Sequence, residues 1–150
     1  MKKNQIKRIK RNAFLLFLTV MMTILLTSCS QKITFLNSSV VPGAEGYVKV
    51  KKDNNKNYII EVEVTDLAEV GKVHATNNSY VLWMETDQGN AENLGQLKSS
   101  TSFFSKRHSA SLETASSYKP IKFFITTEEG INVQYPGDQI VLTTEKFNGK

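Results

Sequence analysis

What most narrows the folds open to this chain is an alternation of apolar and polar residues with a period of two, repeated in short runs between turns. In residues 58–64, Tyr-Ile-Ile-Glu-Val-Glu-Val, Ile60, Val62 and Val64 point one way while Glu61 and Glu63 point the other, as in a strand with one buried face. Residues 46–52 make the partner strand, and Asp53-Asn54-Asn55-Lys56-Asn57 between them is rich in residues that tolerate turn geometry. A hairpin centred near Asn55 sets Lys49 opposite Glu61 on the outer face, and Val48 and Val50 opposite Val62 and Ile60 on the inner one. Further strands are predicted over residues 79–86, 93–98, 102–106, 110–114, 121–127 and 140–145. Turn chemistry at Asp87-Gln88-Gly89-Asn90, Glu128-Glu129-Gly130 and Pro136-Gly137-Asp138 separates several of them. Residues 70–78 read as a loop or a short helix. About eight short strands without a long helix among them predict an antiparallel sandwich.

The first 28 residues are of another kind. Lys2, Lys3, Lys7, Arg8, Lys10 and Arg11 precede the apolar stretch 13–26 with no acidic residue among them, the layout of an export signal. Leu26-Thr27-Ser28-Cys29 then looks like a bacterial lipobox, with cleavage expected between Ser28 and Cys29, the chain's single cysteine. The apolar run of about 14 residues is short for a span, which needs roughly 20. A diacylglycerol on the Cys29 sulfur, with a further acyl chain on the new amino terminus in many bacteria, supplies the multiple chains that stable anchoring requires. The expectation is a protein held outside the cytoplasm by membrane lipid, on the periplasmic face or the cell surface. Ser30 after the cysteine, where some inner-membrane lipoproteins carry aspartate, favours the outer membrane. Residues 29–43 read as the lipidated cysteine and a tether, with Ile33, Phe35 and Leu36 leaving room for an edge strand, and residues 44–150 as the folded domain.

Cleavage also changes the charge. The formal net charge of +5 includes six basic residues ahead of Cys29, and without them −1 is left. The basic character thus belongs to the signal, and nucleic acid is not an expected partner. With one cysteine no disulfide forms within the chain, so the domain depends on its hydrophobic core.

Tyr80-Val81-Leu82-Trp83, followed by Gly89 and by Leu94-Gly95-Gln96-Leu97, resembles the extracytoplasmic C-terminal domain of the anti-sigma-K factor family. The resemblance continues in Ile125-Thr126-Thr127-Glu128-Glu129-Gly130 and in Pro136-Gly137 before Ile140-Val141-Leu142, and covers roughly residues 46–144. It implies an all-β, antiparallel immunoglobulin-like β-sandwich of about 7–8 strands, here preceded by a signal-peptide helix. Tyr80, Trp83, Gly89, Gly95, Glu128, Pro136 and Gly137 are then packing and turn residues. The family carries a sigma-binding segment and a membrane-spanning helix ahead of this domain. Here a lipid anchor stands in their place, so sigma-factor sequestration is not implied.

Catalytic chemistry has little footing. His74 and His108 are the two histidines, and neither has a further His, Cys or carboxylate at metal-ligand spacing. No Gly-x-Ser-x-Gly elbow occurs, and Glu61 with Glu63, or Glu128 with Glu129, fits a solvated strand face and a turn better than a calcium loop. No catalytic, cofactor or metal residue is therefore assigned. Two registers are open for Trp83: outward with Val81 and Glu85, where it would anchor a partner or a membrane surface, or inward between the sheets. The family pattern and the habit of sandwich domains favour the second. Phe103-Phe104 and Phe123-Phe124 each place one ring in the core and leave the other either in an interaction patch with Lys106, Arg107 and Lys122, or covered by the tether or residues 70–78. The expected function is a non-enzymatic sensory or partner-binding module acting on an envelope protein. The alternative is a small envelope hydrolase or metal-dependent enzyme, which would require His74 or His108 to meet carboxylates in a cleft.

Overall fold

The structure, a computed structural model, describes residues 10, 12–14, 30–101 and 108–148. Ser28, Cys29 and most of the stretch expected to be an export signal lie outside the described residues, as do the strand expected over 102–106 and the Phe103-Phe104 pair. Among the described residues no helix is long and apolar enough to cross a membrane.

These residues form nine strands: β1 Gln31–Thr34, β2 Glu45–Lys52, β3 Tyr58–Thr65, β4 Ser79–Thr86, β5 Ala91–Gln96, β6 Lys98–Thr101, β7 His108–Ser116, β8 Pro120–Glu128 and β9 Ile140–Thr143. One sheet has the order β1-β2-β3-β7-β6 and the other β5-β4-β8-β9, with every pairing antiparallel. The core of this arrangement, β2-β3-β7-β6 facing β4-β8-β9 with β5 added beside β4, is the strand order of an immunoglobulin-like sandwich. The first hairpin has the register expected of it, with Lys49 opposite Glu61, Val48 opposite Val62 and Val50 opposite Ile60. Asp53 closes its turn by accepting hydrogen bonds from the backbone N–H groups of Asn55 and Asn57, each at 2.8 Å. Asn57 also donates from its side chain to Asp53, which is the local bonding that makes Asp and Asn turn residues.

Three segments outside the regular hairpin are instructive. Residues 30–43 are more than a tether, because the edge strand for which Ile33 and Phe35 left room is formed. Ile33 and Phe35 are buried and alternate with Lys32 and Thr34, so β1 pairs with β2. Phe35 then bridges to Thr144 at the edge of the second sheet. The Ser38 hydroxyl donates to the Val141 carbonyl and accepts from the Val41 N–H, which satisfies buried backbone groups where the chain changes sheets. The predicted strand 93–98 is in fact two, because Leu97, 5 % exposed, is drawn into the seam between the sheets and passes the chain from β5 to β6. Residues 70–78 hold one helical turn, Val70–Val73, and are otherwise loop.

The main core lies between the sheets and includes Val48, Ile60, Val64, Leu82, Met84, Phe123 and Ile125, all fully buried. Trp83 is not part of it. Its side chain lies on the outer face of the second sheet in a separate cluster with Val81 and Phe124, covered by Val133. The inward register is thus corrected. Trp83 takes the outward one, yet it is 0 % exposed, because residues 129–139 fold back over that face.

Candidate binding site at the loop end of the sandwich

β3 ends and β4 begins at one end of the sandwich, and β8 ends and β9 begins at the same end. The connections 66–78 and 129–139 therefore lie side by side. In immunoglobulin-like domains the corresponding loops are the ones free to vary on a rigid frame.

Hydrogen bonds to the second sheet fasten both connections. Asn77 donates from Nδ2 to the Thr127 carbonyl at 2.6 Å and to its Oγ1 at 3.0 Å, and the Asn78 N–H reaches the Glu128 carbonyl at 2.9 Å. Asn93 on β5 donates to the carbonyls of Ile131 and Val133 at 3.1 and 2.9 Å. Beneath them runs a relay that starts at the tryptophan. Trp83 Nε1 donates to Thr126 Oγ1 at 2.8 Å, the Thr126 hydroxyl donates to Glu128 Oε1, and the same carboxylate oxygen accepts the Gly137 N–H at 2.8 Å. Thr126 and Glu128 share one strand face because they are two residues apart. Glu128, 6 % exposed, is thus a buried carboxylate satisfied by donors on both sides. A Cβ on Gly137 would stand 3.1 Å from Glu128 Oε2, so the absence of a side chain lets the loop backbone come this close.

The residues singled out for packing fall into three places. Tyr80 faces the main core and donates its hydroxyl to the Ala68 carbonyl at 2.9 Å, and burial pushes its phenol up to about 12. Gly89 (φ 82°) sits in the β4–β5 turn and Gly95 (φ 119°) at the irregularity in the β4–β5 register, both in the region of φ that glycine enters without steric cost. Trp83, Glu128, Pro136 and Gly137 belong to the fastened loop or the face beneath it. Asn77, Asn93, Thr126 and Val133 were not anticipated as partners, and the one sequence signal for them is that Thr126 and Glu128 alternate on a strand.

Two hollows flank connection 66–78. One, of about 450 Å³, is lined by Leu67, Val70, Tyr80, Leu97 and Ala110, with Ser79 and Gln96 hydrogen bonded to each other at its side. The other, of about 590 Å³, lies against connection 129–139 and is lined by His74, Glu128, Glu129 and Asp138 among others. His74 Nδ1 lies 3.1 Å from Thr76 Oγ1, and no hydrogen bond or ion pair joins it to those carboxylates. Among the described residues no group of three or more His, Cys, Asp or Glu side chains is arranged to hold a metal ion. His108 opens β7 in the other sheet, paired with Thr101.

Six large apolar side chains are exposed among the described residues, of which Phe14, Leu36 and Tyr118 lie away from connection 129–139. Ile131 is 47 %, Tyr135 81 % and Ile140 44 % exposed, all on connection 129–139 or the first residue of β9. Phe123 is in the main core, and Phe124 stacks on Trp83 with ring centroids 6.3 Å apart. It is therefore connection 129–139, and not the tether or residues 70–78, that covers the second ring of that pair. Comparison with protein-family models, with curated proteins and with solved structures finds no match for this chain.

Proposed function

We propose that this chain is a lipid-anchored envelope protein acting as a non-enzymatic sensory or partner-binding module, with connection 129–139 as its contact surface. The observation that carries this reading is the exposure of Ile131 and Tyr135 on a loop that Asn93 and Glu128 hold in place, with Ile140 exposed at the start of β9. Large apolar side chains on an already ordered backbone bind at low entropic cost, and tyrosine is among the residues that most often dominate interfaces. The lipobox at Leu26–Cys29 supports the anchor, and the resemblance to the anti-sigma-K domain supports a signalling role in the envelope without a sigma-binding segment.

The test is mass spectrometry of protein purified from its native membrane, with Cys29→Ser as control, combined with a photo-crosslinker at position 135. An acylated Cys29 and a specific envelope protein joined at position 135, displaced by unlabelled protein but not by Ile131→Ser, is the expected result. An unacylated chain, or crosslinks no different from those of a label on the outer face of β2, would refute it.

The cleft of His74, Glu129 and Asp138 gives the enzymatic alternative its concrete form. Histidine beside carboxylates is the chemistry of general acid–base catalysis. Retained hydrolysis of envelope substrates that disappears in His74→Ala while binding through position 135 persists would favour that reading.

A further inference from the structure

The end of the sandwich opposite the candidate site carries the turns 53–57, 87–90 and 117–119. We infer that this end rests on the bilayer surface, so that connections 66–78 and 129–139 face away from the membrane. The inference rests on lipidation of Cys29 and adds the orientation and the contact surface.

The argument starts from where the chain enters the fold. Gln31 is already paired with Val50, two residues before β2 ends at Lys52, so β1 starts near the 53–57 turn. Cys29 is two residues upstream, a distance of at most about 7 Å for extended chain. No slack is left for the sandwich to stand off from a lipid-bearing sulfur. β3, eight residues long, runs from this turn to the opposite end, which places connections 66–78 and 129–139 about 26 Å farther out at the rise of an extended strand.

The turn end has the side chains of an interfacial surface. Tyr118, 44 % exposed, is its large apolar group, and an amphipathic aromatic ring of this kind settles at headgroup depth. Exposed Lys52 and Lys56 stand on the first hairpin, while Lys119, next to Tyr118, donates to Asn148 at 3.0 Å. Of the acidic groups nearby, Asp53 accepts hydrogen bonds within its turn, Glu92 accepts one from the Ser116 hydroxyl and Glu85 pairs with Lys146 at 2.7 Å, while Asp87 is exposed. The turns 87–90 and 117–119 are joined by the Asp87 N–H to the Lys119 carbonyl at 3.1 Å, and the pairing of Tyr58 with Ser116 sets the 53–57 turn beside 117–119.

The experiment uses the full lipidated protein reconstituted in vesicles of phosphatidylethanolamine and phosphatidylglycerol. Asn55→Cys, Tyr118→Cys and Tyr135→Cys are each labelled with an environment-sensitive dye, and Cys29 acylation is verified by mass in the same samples. Labels at 55 and 118 are expected to shift to the blue and lose emission when lipids with nitroxide headgroups are included, and the label at 135 to do neither. An acylated protein with equal quenching at all three positions, or with quenching at 135 alone, overturns the orientation and leaves the anchor standing. A chain without lipid on Cys29 overturns both.

Discussion

On the outer face of the first sheet Tyr47 lies under the ammonium groups of Lys32 and Lys49, 4.0 and 5.2 Å from its ring centre, and donates its hydroxyl to Glu63. On the outer face of the second sheet Trp83 and Phe124 stack beneath a folded-back loop. The strands are of the same kind and the sheets of similar size, yet one face is left to water and the other is covered. The difference shows that a sandwich of this type has a second layer of burial available whenever a connection is long enough to reach back over a sheet. Ladders of Lys, Glu and Tyr make the first face wettable. Val81, Trp83 and Phe124 would make the second an exposed apolar patch, and residues 129–139 remove that liability while presenting Ile131 and Tyr135 outward.

The largest expected effect is on the covered face. Trp83→Ala removes a fully buried ring and its bond to Thr126 and should cost about 3–5 kcal/mol, read by urea denaturation. A midpoint unchanged from wild type would mean that the loop does not seal this face. Glu128→Ala leaves the Gly137 N–H and the Thr126 hydroxyl without their shared acceptor and should cost about 1.5–3 kcal/mol, as for hydrogen bonds to charged groups. Its further signature is a red shift of tryptophan emission as water reaches Trp83. On the first sheet Gly46→Ala would place a Cβ 2.6 Å from the Glu63 carbonyl oxygen, and the backbone shift needed to relieve it should cost about 1–3 kcal/mol. If the midpoint were unaffected, the β2–β3 hairpin would have to be looser there than its register implies.

Tyr80 tests the main core by pH. Its folded phenol stands near 12 against an ordinary 10.0, so above the ordinary value the unfolded chain loses a proton that the folded one keeps. By linkage this group adds no pH dependence below about pH 10, and stability falls as pH rises from there towards 12. Tyr80→Phe should lose that part of the alkaline fall, measured as the difference between the two proteins' midpoints across the window. The smallest effect is expected from Tyr47→Ser on the open face, where the denaturation midpoint should stay close to wild type. A large loss would show that the first sheet's outer face is also covered in the working protein.

The comparison of faces also explains which parts of the fold could be read from the chain. Residues 60–64 alternate strictly, and so the β2–β3 hairpin and its register follow from period and turn chemistry alone. Residues 80–84, Tyr-Val-Leu-Trp-Met, are apolar at every position. A strand buried on both faces reads as an unbroken apolar run, and such a run does not tell which face lies between the sheets. That ambiguity hides from the sequence that Trp83 takes the outer face. Residues 30–43 read as tether with no more than room for an edge strand, because their polar residues obscure a two-residue period only four residues long, and the Ser38 hydroxyl that fixes them acts across 103 positions of sequence. Of the candidate site, Glu128, Pro136 and Gly137 could be singled out as a strand end and a turn. That they close over Trp83, or that Asn93 ties the loop down, could not.

Local chemistry decided the strand periods and most of the turns, because each depends on residues within a few positions of one another. Tertiary structure decided the rest. Which face of β4 meets the other sheet, where Leu97 passes between layers, and how the loop after β8 covers Trp83 depend on contacts between residues tens of positions apart. Burial on both faces removes the polar alternation from which such contacts would otherwise be inferred.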